Sequence, residues 1–163
     1  MAKQRKLVLE EFLPYRLSMV SNLVSDRVAT AYEAAFGLGI PEWRVLAVVA
    51  EGSASSQFEI CRRTRMDKVA ISRAAIALGR RGLIARGPNP KDHRSHVLAL
   101  TDEGRKLYRL IAPKALAIEA QIFGGFKASE LRAFVAMLAR VDAAALALGA
   151  PEPRGLELEP RKG

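Results

Sequence analysis

Residues 66–84 read MDKVAISRAAIALGRRGLI, and residues 89–107 read NPKDHRSHVLALTDEGRKL. In the first stretch Asp67 stands where a helix needs an N-cap. Its carboxylate can accept from the free backbone N–H groups at the positive end of the helix dipole. The residues behind it predict a helix to about residue 81, stopped by Gly82, with Ile71 and Leu78 turned to the core. Ser53, Ser55 and Ser56 offer caps for a shorter helix over about 55–63, and Thr64-Arg65-Met66 is the turn between the two. Two short helices joined by a tight turn, the second rich in bases, make a helix-turn-helix pattern.

In the second stretch, residues 96–100 read as a strand that pairs with another over 83–86. Gly87-Pro88-Asn89-Pro90 between them forbids helix and predicts a loop tip. The result is a β-hairpin with a basic tip, a wing. Thr101 then caps a further helix, with Asp102 and Glu103 in its first turn. That helix is expected to reach about residue 123, kinked near Pro113, where the ring removes a backbone donor. Gly124-Gly125 break it, and a last helix over about 128–148 carries Leu131, Phe134, Val135, Leu138, Val141 and Ala145 on one face.

Upstream, Leu13, Leu17, Val20, Val24, Val28, Ala31 and Ala35 recur at three- and four-residue steps. They predict one long helix over about 10–36, ended by Gly37 and Gly39. Residues 40–52, IPEWRVLAVVAEG, read as a short, largely buried helix with Pro41 in its first turn. The fold class is therefore mainly α with a small β-hairpin.

The charge is concentrated. Of a net +9, residues 61–94 contribute nearly all, with ten Lys or Arg opposed only by Asp67 and Asp92. A basic block of this kind points to nucleic acid, ahead of a membrane surface. Half the residues are hydrophobic, enough for a real core. The single cysteine, Cys61, permits no intramolecular disulfide and fits a reducing, cytoplasmic setting. The opening MAKQRKLVLEEF has no apolar run before its first acids, so no secretory signal is expected, and no membrane-spanning run either. No Ser-His-Asp arrangement, phosphate-binding glycine loop or metal cluster is visible, so no enzyme, no cofactor and no metal are expected. His93 and His96 with one cysteine do not make a zinc site.

Three stretches together resemble the MarR family of winged helix-turn-helix regulators. They are IPEWRVLAVVAEG, MDKVAISRAAIALGRRGLI and NPKDHRSHVLALTDEGRKL, the last with its Asp-x-Arg at Asp92-His93-Arg94. The resemblance spans roughly residues 10–147. It implies a homodimer built from the first and last two helices, with a recognition helix in the major groove and wings in the flanking minor grooves. The first and last helices carry more apolar residues than a small winged domain can cover, which a partner chain would relieve. The implied plan is a dimerisation helix in 1–36, a winged helix-turn-helix DNA-binding domain in 40–101, dimerisation helices in 102–148 and a disordered tail in 149–163. Ile76 and Gly79 depart from the family, which usually shows charged or polar residues there. Ala74 and Ala75 are smaller than usual.

On this reading Lys68, Val69, Ala70, Ser72 and Arg73 face base edges in double-stranded DNA at a pseudo-palindromic operator. Arg73 suits guanine O6 and N7; the lesser alternative is that it caps a solvated face. Arg94 is the wing residue for a narrow minor groove, oriented by Asp92 as the family resemblance implies. Lys91, His93 and Arg86 suit phosphates. Arg62, Arg63, Arg80 and Arg81 can also reach phosphate or stay solvated.

The family often binds aromatic carboxylates where dimer base and winged domain meet. Tyr15, Arg16, Ser18, Met19, Asn22, Trp43 and Arg44 are the candidates for such an effector site. The alternative is that Trp43 belongs to the core and Arg44 braces the domain. Residues 14–51 look like regulators of hydroxycinnamate-type aromatic catabolism, whose effectors are free acids or their coenzyme A thioesters. The expected function is a ligand-responsive regulator, a repressor released from DNA by such a molecule. The competing function is a non-specific DNA-binding architectural protein, which accounts for the charge but not for the extra helices.

Overall fold

The computed structural model describes residues 6–52, 54–90 and 95–149. Ser53, proposed above as a cap, the wing residues Lys91, Asp92, His93 and Arg94, and residues 150–163 of the tail lie outside the described residues. The chain divides into two units, Met1–Ile122 and Phe123–Gly163.

In the first unit a 3-10 turn, Leu9–Glu11, precedes α1 (Leu13–Ala29), α2 (Glu33–Phe36) and α3 (Ile40–Glu51). Then come β1 (Ser55–Ser56), α4 (Gln57–Thr64), α5 (Lys68–Arg80), β2 (Ile84–Pro88), β3 (His96–Leu100) and α6 (Asp102–Phe123), whose last residue crosses into the second unit.

The helix-turn-helix is built by its caps. Ser56 Oγ accepts from the Glu59 N–H at 3.2 Å to start α4, and Asp67 Oδ1 accepts from the Ala70 N–H at 2.8 Å to start α5. Between them Arg65 adopts a left-handed φ of 56°, rare for a residue with a Cβ. Thr64 steadies this turn: its hydroxyl donates to Ile60 O at 2.7 Å and accepts from the Met66 N–H at 3.3 Å. At the far end of α5, Gly82 takes a φ of +67°, which its lack of a Cβ permits.

The long first helix of the sequence reading is two helices. The backbone tightens at its end, where the N–H groups of Thr30, Ala31 and Tyr32 donate to Arg27, Val28 and Ala29, three residues back. The Thr30 hydroxyl also donates to Arg27 O at 2.7 Å, in competition with the helix ladder. The break turns Tyr32 into the core, where it is 1% exposed. The helix also begins at Leu13 rather than near residue 10, with Pro14 in its first turn.

The expected hairpin is the larger part of a three-stranded antiparallel sheet in the order β1-β3-β2. Ser55 and Ser56 were expected in a helix; they form β1, opposite Leu98 and Val97. A two-residue strand is too short to show an alternating pattern. Gly87 and Pro88 were expected at the loop tip; they continue β2, opposite Val97 and His96. Proline is tolerated there because β2 is an edge strand and Pro88 its last residue.

The core of the first unit gathers Val45, Leu46 and Val49 from α3, Ile60 from α4 and Ile71, Ala74 and Leu78 from α5. Leu98 and Leu100 from β3, Ile111 from α6, and Tyr32 and Leu38 from the segments before α3 also belong to it. The two small residues of α5, Ala74 and Ala75, are both buried on the side packed against α3 and its neighbours. Residue 104 has to be glycine for a steric reason: a Cβ there would lie 2.0 Å from Leu83 O. Thr101 fastens the same corner, donating to Gly82 O at 2.6 Å and accepting from the Gly104 N–H at 3.0 Å. α6 is helical throughout, Pro113 included. In the second unit α7 (Ala128–Ala147) begins with the Glu130 carboxylate accepting from the Lys127 N–H at 2.7 Å. None of its residues is buried.

Candidate nucleic-acid interface

The buried residues of α5 are Ile71, Ala74, Ala75 and Leu78, one stripe of a 3.6-residue period. The opposite stripe is therefore dictated: Val69, Arg73, Ile76 and Arg80 are all exposed, Val69 at 58% and Ile76 at 53%. Lys68 opens the helix and is exposed, while Ala70 and Ser72 sit half-buried on its flanks. Lys68, Arg73 and Arg80 make no ion pair with another described residue, so their charges are left for an outside partner. Ile76, a departure from the family pattern, falls on the same stripe as Arg73, as an i+3 neighbour.

Beside the start of α5 lies the sheet. Arg86 projects from β2, exposed, and its Nη2 lies 3.2 Å from Nδ1 of His96 on β3. Beyond the strands, the Asn89 N–H donates to Ser95 O at 3.2 Å and the Asn89 amide to Ser95 Oγ at 2.8 Å. The wing candidates Lys91 to Arg94 lie outside the described residues.

A groove of about 500 Å³ separates the two features, lined by Phe58, Lys68, Arg86, His96 and Leu98 among others. Phe58 escaped the sequence reading, and it is 80% exposed. The signal was available. Ile60, two residues on, is fully buried, and two helical steps of about 100° place Phe58 on the opposite side of α4.

The other arginines sort by partner. Arg63 is ion-paired with Glu51. Arg81 donates to Phe36 O at 2.7 Å and Gly37 O at 3.1 Å, so it closes the end of α2 instead of waiting for phosphate. Arg62 remains exposed.

The effector candidates are not brought together within one chain. Trp43 is half-buried and stacked on both faces, against Tyr32 at 5.3 Å and Tyr108 at 5.8 Å between centroids. Burial pushes the Tyr32 hydroxyl up to about 12, with Glu33 adding to the effect and Arg44 opposing it. Arg44 Nη2 donates to Ser25 Oγ at 3.4 Å, one turn beyond Asn22. Tyr15, Arg16, Ser18 and Met19 are exposed near the other end of α1. From residue 15 to residue 25 the helix rises about 15 Å at 1.5 Å per residue. Among the described residues no cluster of His, Cys, Asp and Glu is suited to a metal, and no helix is long and apolar enough to cross a membrane.

A capped helix with an unpaired basic stripe, set beside a small sheet with a basic edge, defines a winged helix-turn-helix DNA-binding protein. The MarR family model matches residues 36–95. The fold superposes on a MarR/EmrR family transcriptional regulator from Acinetobacter sp. ADP1, with a TM-score of 0.78 and 25% identity over 85% of this chain and 98% of that one. It also matches CouR from Rhodococcus jostii RHA1 bound to p-coumaroyl-CoA, with a TM-score of 0.75 and 24% identity over 83% and 95% of the two chains. Among sequence relatives, the transcriptional activatory protein BadR of Rhodopseudomonas palustris is 25% identical over 134 residues, 80% of this chain and 76% of that protein. Residues 36–95 thus match the MarR family, and the fold is shared with MarR-family transcription regulators. The Acinetobacter and Rhodopseudomonas proteins are both named as regulators of transcription.

Proposed function

We propose that this protein is a homodimeric regulator that reads a pseudo-palindromic operator with α5 and is released from it by a small aromatic acid or its coenzyme A thioester. The observation that carries the DNA-binding part is the stripe Val69, Arg73, Ile76 and Arg80, exposed and opposite the buried face of α5. In a major groove Arg73 faces guanine, Ser72 a base or phosphate, and Val69, Ala70 and Ile76 thymine methyl groups. Lys68, read from the sequence as facing base edges, opens α5 in the groove it shares with Arg86, and on this reading both meet phosphates. Arg94, oriented by Asp92, enters the minor groove, with Lys91 and His93 on the backbone beside it. Such a protein acts in the cytoplasm, on chromosomal DNA.

Dimerisation is supported by what α1 leaves uncovered: Leu13, Leu17, Val20 and Leu23 are 40–72% exposed. A two-fold partner covers such a face with its own copy and spaces the two copies of α5 about one helical turn of DNA apart.

The effector part is supported by the likeness to CouR with its bound p-coumaroyl-CoA. Arg44, braced by Ser25 near Asn22, is the cation for a carboxylate or phosphate. Both faces of Trp43 are already stacked, so a ligand ring must meet its edge or displace Tyr108. Tyr15, Arg16, Ser18 and Met19 then serve either the far end of an elongated thioester or the site of the partner copy. The ligand shifts the dimer between spacings only as far as its affinities for the two forms differ, typically about 1–3 kcal/mol. BadR is named as an activator, so the sign of regulation is tested separately by transcription from the operator with and without ligand.

Affinity for a selected operator and for random duplex, measured at one salt concentration, tests the reading. Operator binding is expected to be at least about a thousandfold tighter. Arg73→Ala is expected to cost about 1–3 kcal/mol on the operator and to relax base preference at one position per half-site. Equal affinity of the wild type for both duplexes overturns specific readout and leaves an architectural role.

A further inference from the structure

The groove between α4, the start of α5 and the sheet contains an element that base reading does not use. Phe58 is 80% exposed at the second position of α4, and the same groove is lined by Lys68 and Arg86. An exposed phenyl that shares a groove with two cations is a poor core residue, since α4 already anchors itself through Ile60, which is fully buried. It is also a poor centre for a protein–protein contact, because the cores of such contacts are depleted in charged residues, Lys among them. The uncovered apolar residues of α1 supply a better surface for that purpose.

The occupant that fits a groove lined by two cations and one exposed phenyl is a chain of alternating anions and apolar links. A DNA strand is such a chain, with phosphates joined through deoxyribose rings whose C–H faces are apolar. Phenyl has no donor or acceptor for a base edge, so its contact is tolerant of sequence. Arg86 is held in place on the rim by His96, 3.2 Å away, which limits the entropy lost when it meets a phosphate.

We propose that Phe58 is an apolar anchor for the operator backbone, packing on a deoxyribose between the phosphates met by Lys68 and Arg86. The proposal rests on the DNA-binding reading and adds to it an affinity component that is insensitive both to salt and to base sequence. Counterion release governs the salt dependence of the phosphate contacts, whereas burial of a phenyl releases no ions.

The test is fluorescence anisotropy of labelled operator and random duplexes over a series of salt concentrations, with the full-length wild type and the variants Phe58→Ala, Phe58→Leu and Lys68→Ala. Phe58→Ala is expected to weaken both duplexes by about tenfold with the slope of log affinity against log salt unchanged. Phe58→Leu should recover most of that loss, and Lys68→Ala should lower the slope by about one unit. Sedimentation and melting of Phe58→Ala should match the wild type. Four results overturn the anchor: Phe58→Ala binding like wild type, a loss confined to the operator, a slope that falls with it, or a changed oligomeric state. A wild type that binds no duplex overturns the DNA-binding reading along with it, so the two failures are told apart.

Discussion

α5 and α1 are both amphipathic helices, of 13 and 17 residues, and the chain treats them in opposite ways. α5 buries its apolar stripe, with Ile71 and Leu78 at 0% exposure, and turns a basic stripe outward. α1 buries only Ala29 and leaves Leu13, Leu17, Val20, Met19 and Leu23 in the open. The difference lies in where each apolar face finds its partner. α5 meets α3, α4 and β2 of its own chain, close in sequence. Among the described residues, α1 joins the core only at its end, through Val28 and Ala29. Exposed apolar area of that kind marks a surface meant for association. The chain thus separates a unit that closes its own core from a helix whose apolar face stays open, the face proposed above for dimerisation.

The strongest way to break the comparison is in the reading head. Leu78→Ala removes a fully buried side chain and is expected to destabilise the fold by about 2–5 kcal/mol in urea titrations monitored by circular dichroism. A loss near zero would mean that α5 is not anchored as described. Leu23→Ala on α1 should behave differently. Leu23 is 61% exposed, so the dilute chain should melt as before, while sedimentation equilibrium should show dimer dissociation shifted by about tenfold or more. If Leu23→Ala destabilised the dilute chain as much as Leu78→Ala, the division between the two helices would fall. The smallest effect sharpens the picture of α5. A Cβ on Gly79 meets no atom within 4 Å, so Gly79→Ala should stabilise the helix by about 1 kcal/mol and raise the urea midpoint without changing base preference.

Most of the reading head was legible before any coordinates. Asp67, Ser56, Thr101 and Gly82 act locally, within four residues along the chain or at its turns, and local signals survive in a single sequence. The errors fell where a distant contact outvoted a local pattern. The periodicity of residues 10–36 was that of one helix, but burial of Tyr32 against Trp43 breaks it. Gly87-Pro88 carried a loop signal, yet pairing with β3 keeps both in a strand. Arg81 belonged to a basic block by composition, and only the fold shows that the carbonyls of Phe36 and Gly37 claim it. The candidate effector residues illustrate the same limit, because proximity of Trp43 and Arg44 in sequence said nothing about Tyr32, Tyr108 and Ser25, which reach them from other elements.

The sequence by itself determined the helix-turn-helix, its caps, the strand pair and the basic charge, because each depends on residues a few positions apart. Only the tertiary structure decided which cations are spent inside the fold, why residue 104 has to be glycine, and that Phe58 stands in the basic groove. Those outcomes depend on what packs across the chain, and a Cβ 2.0 Å from Leu83 O, or a guanidinium bound 45 residues away, leaves no mark in local spacing.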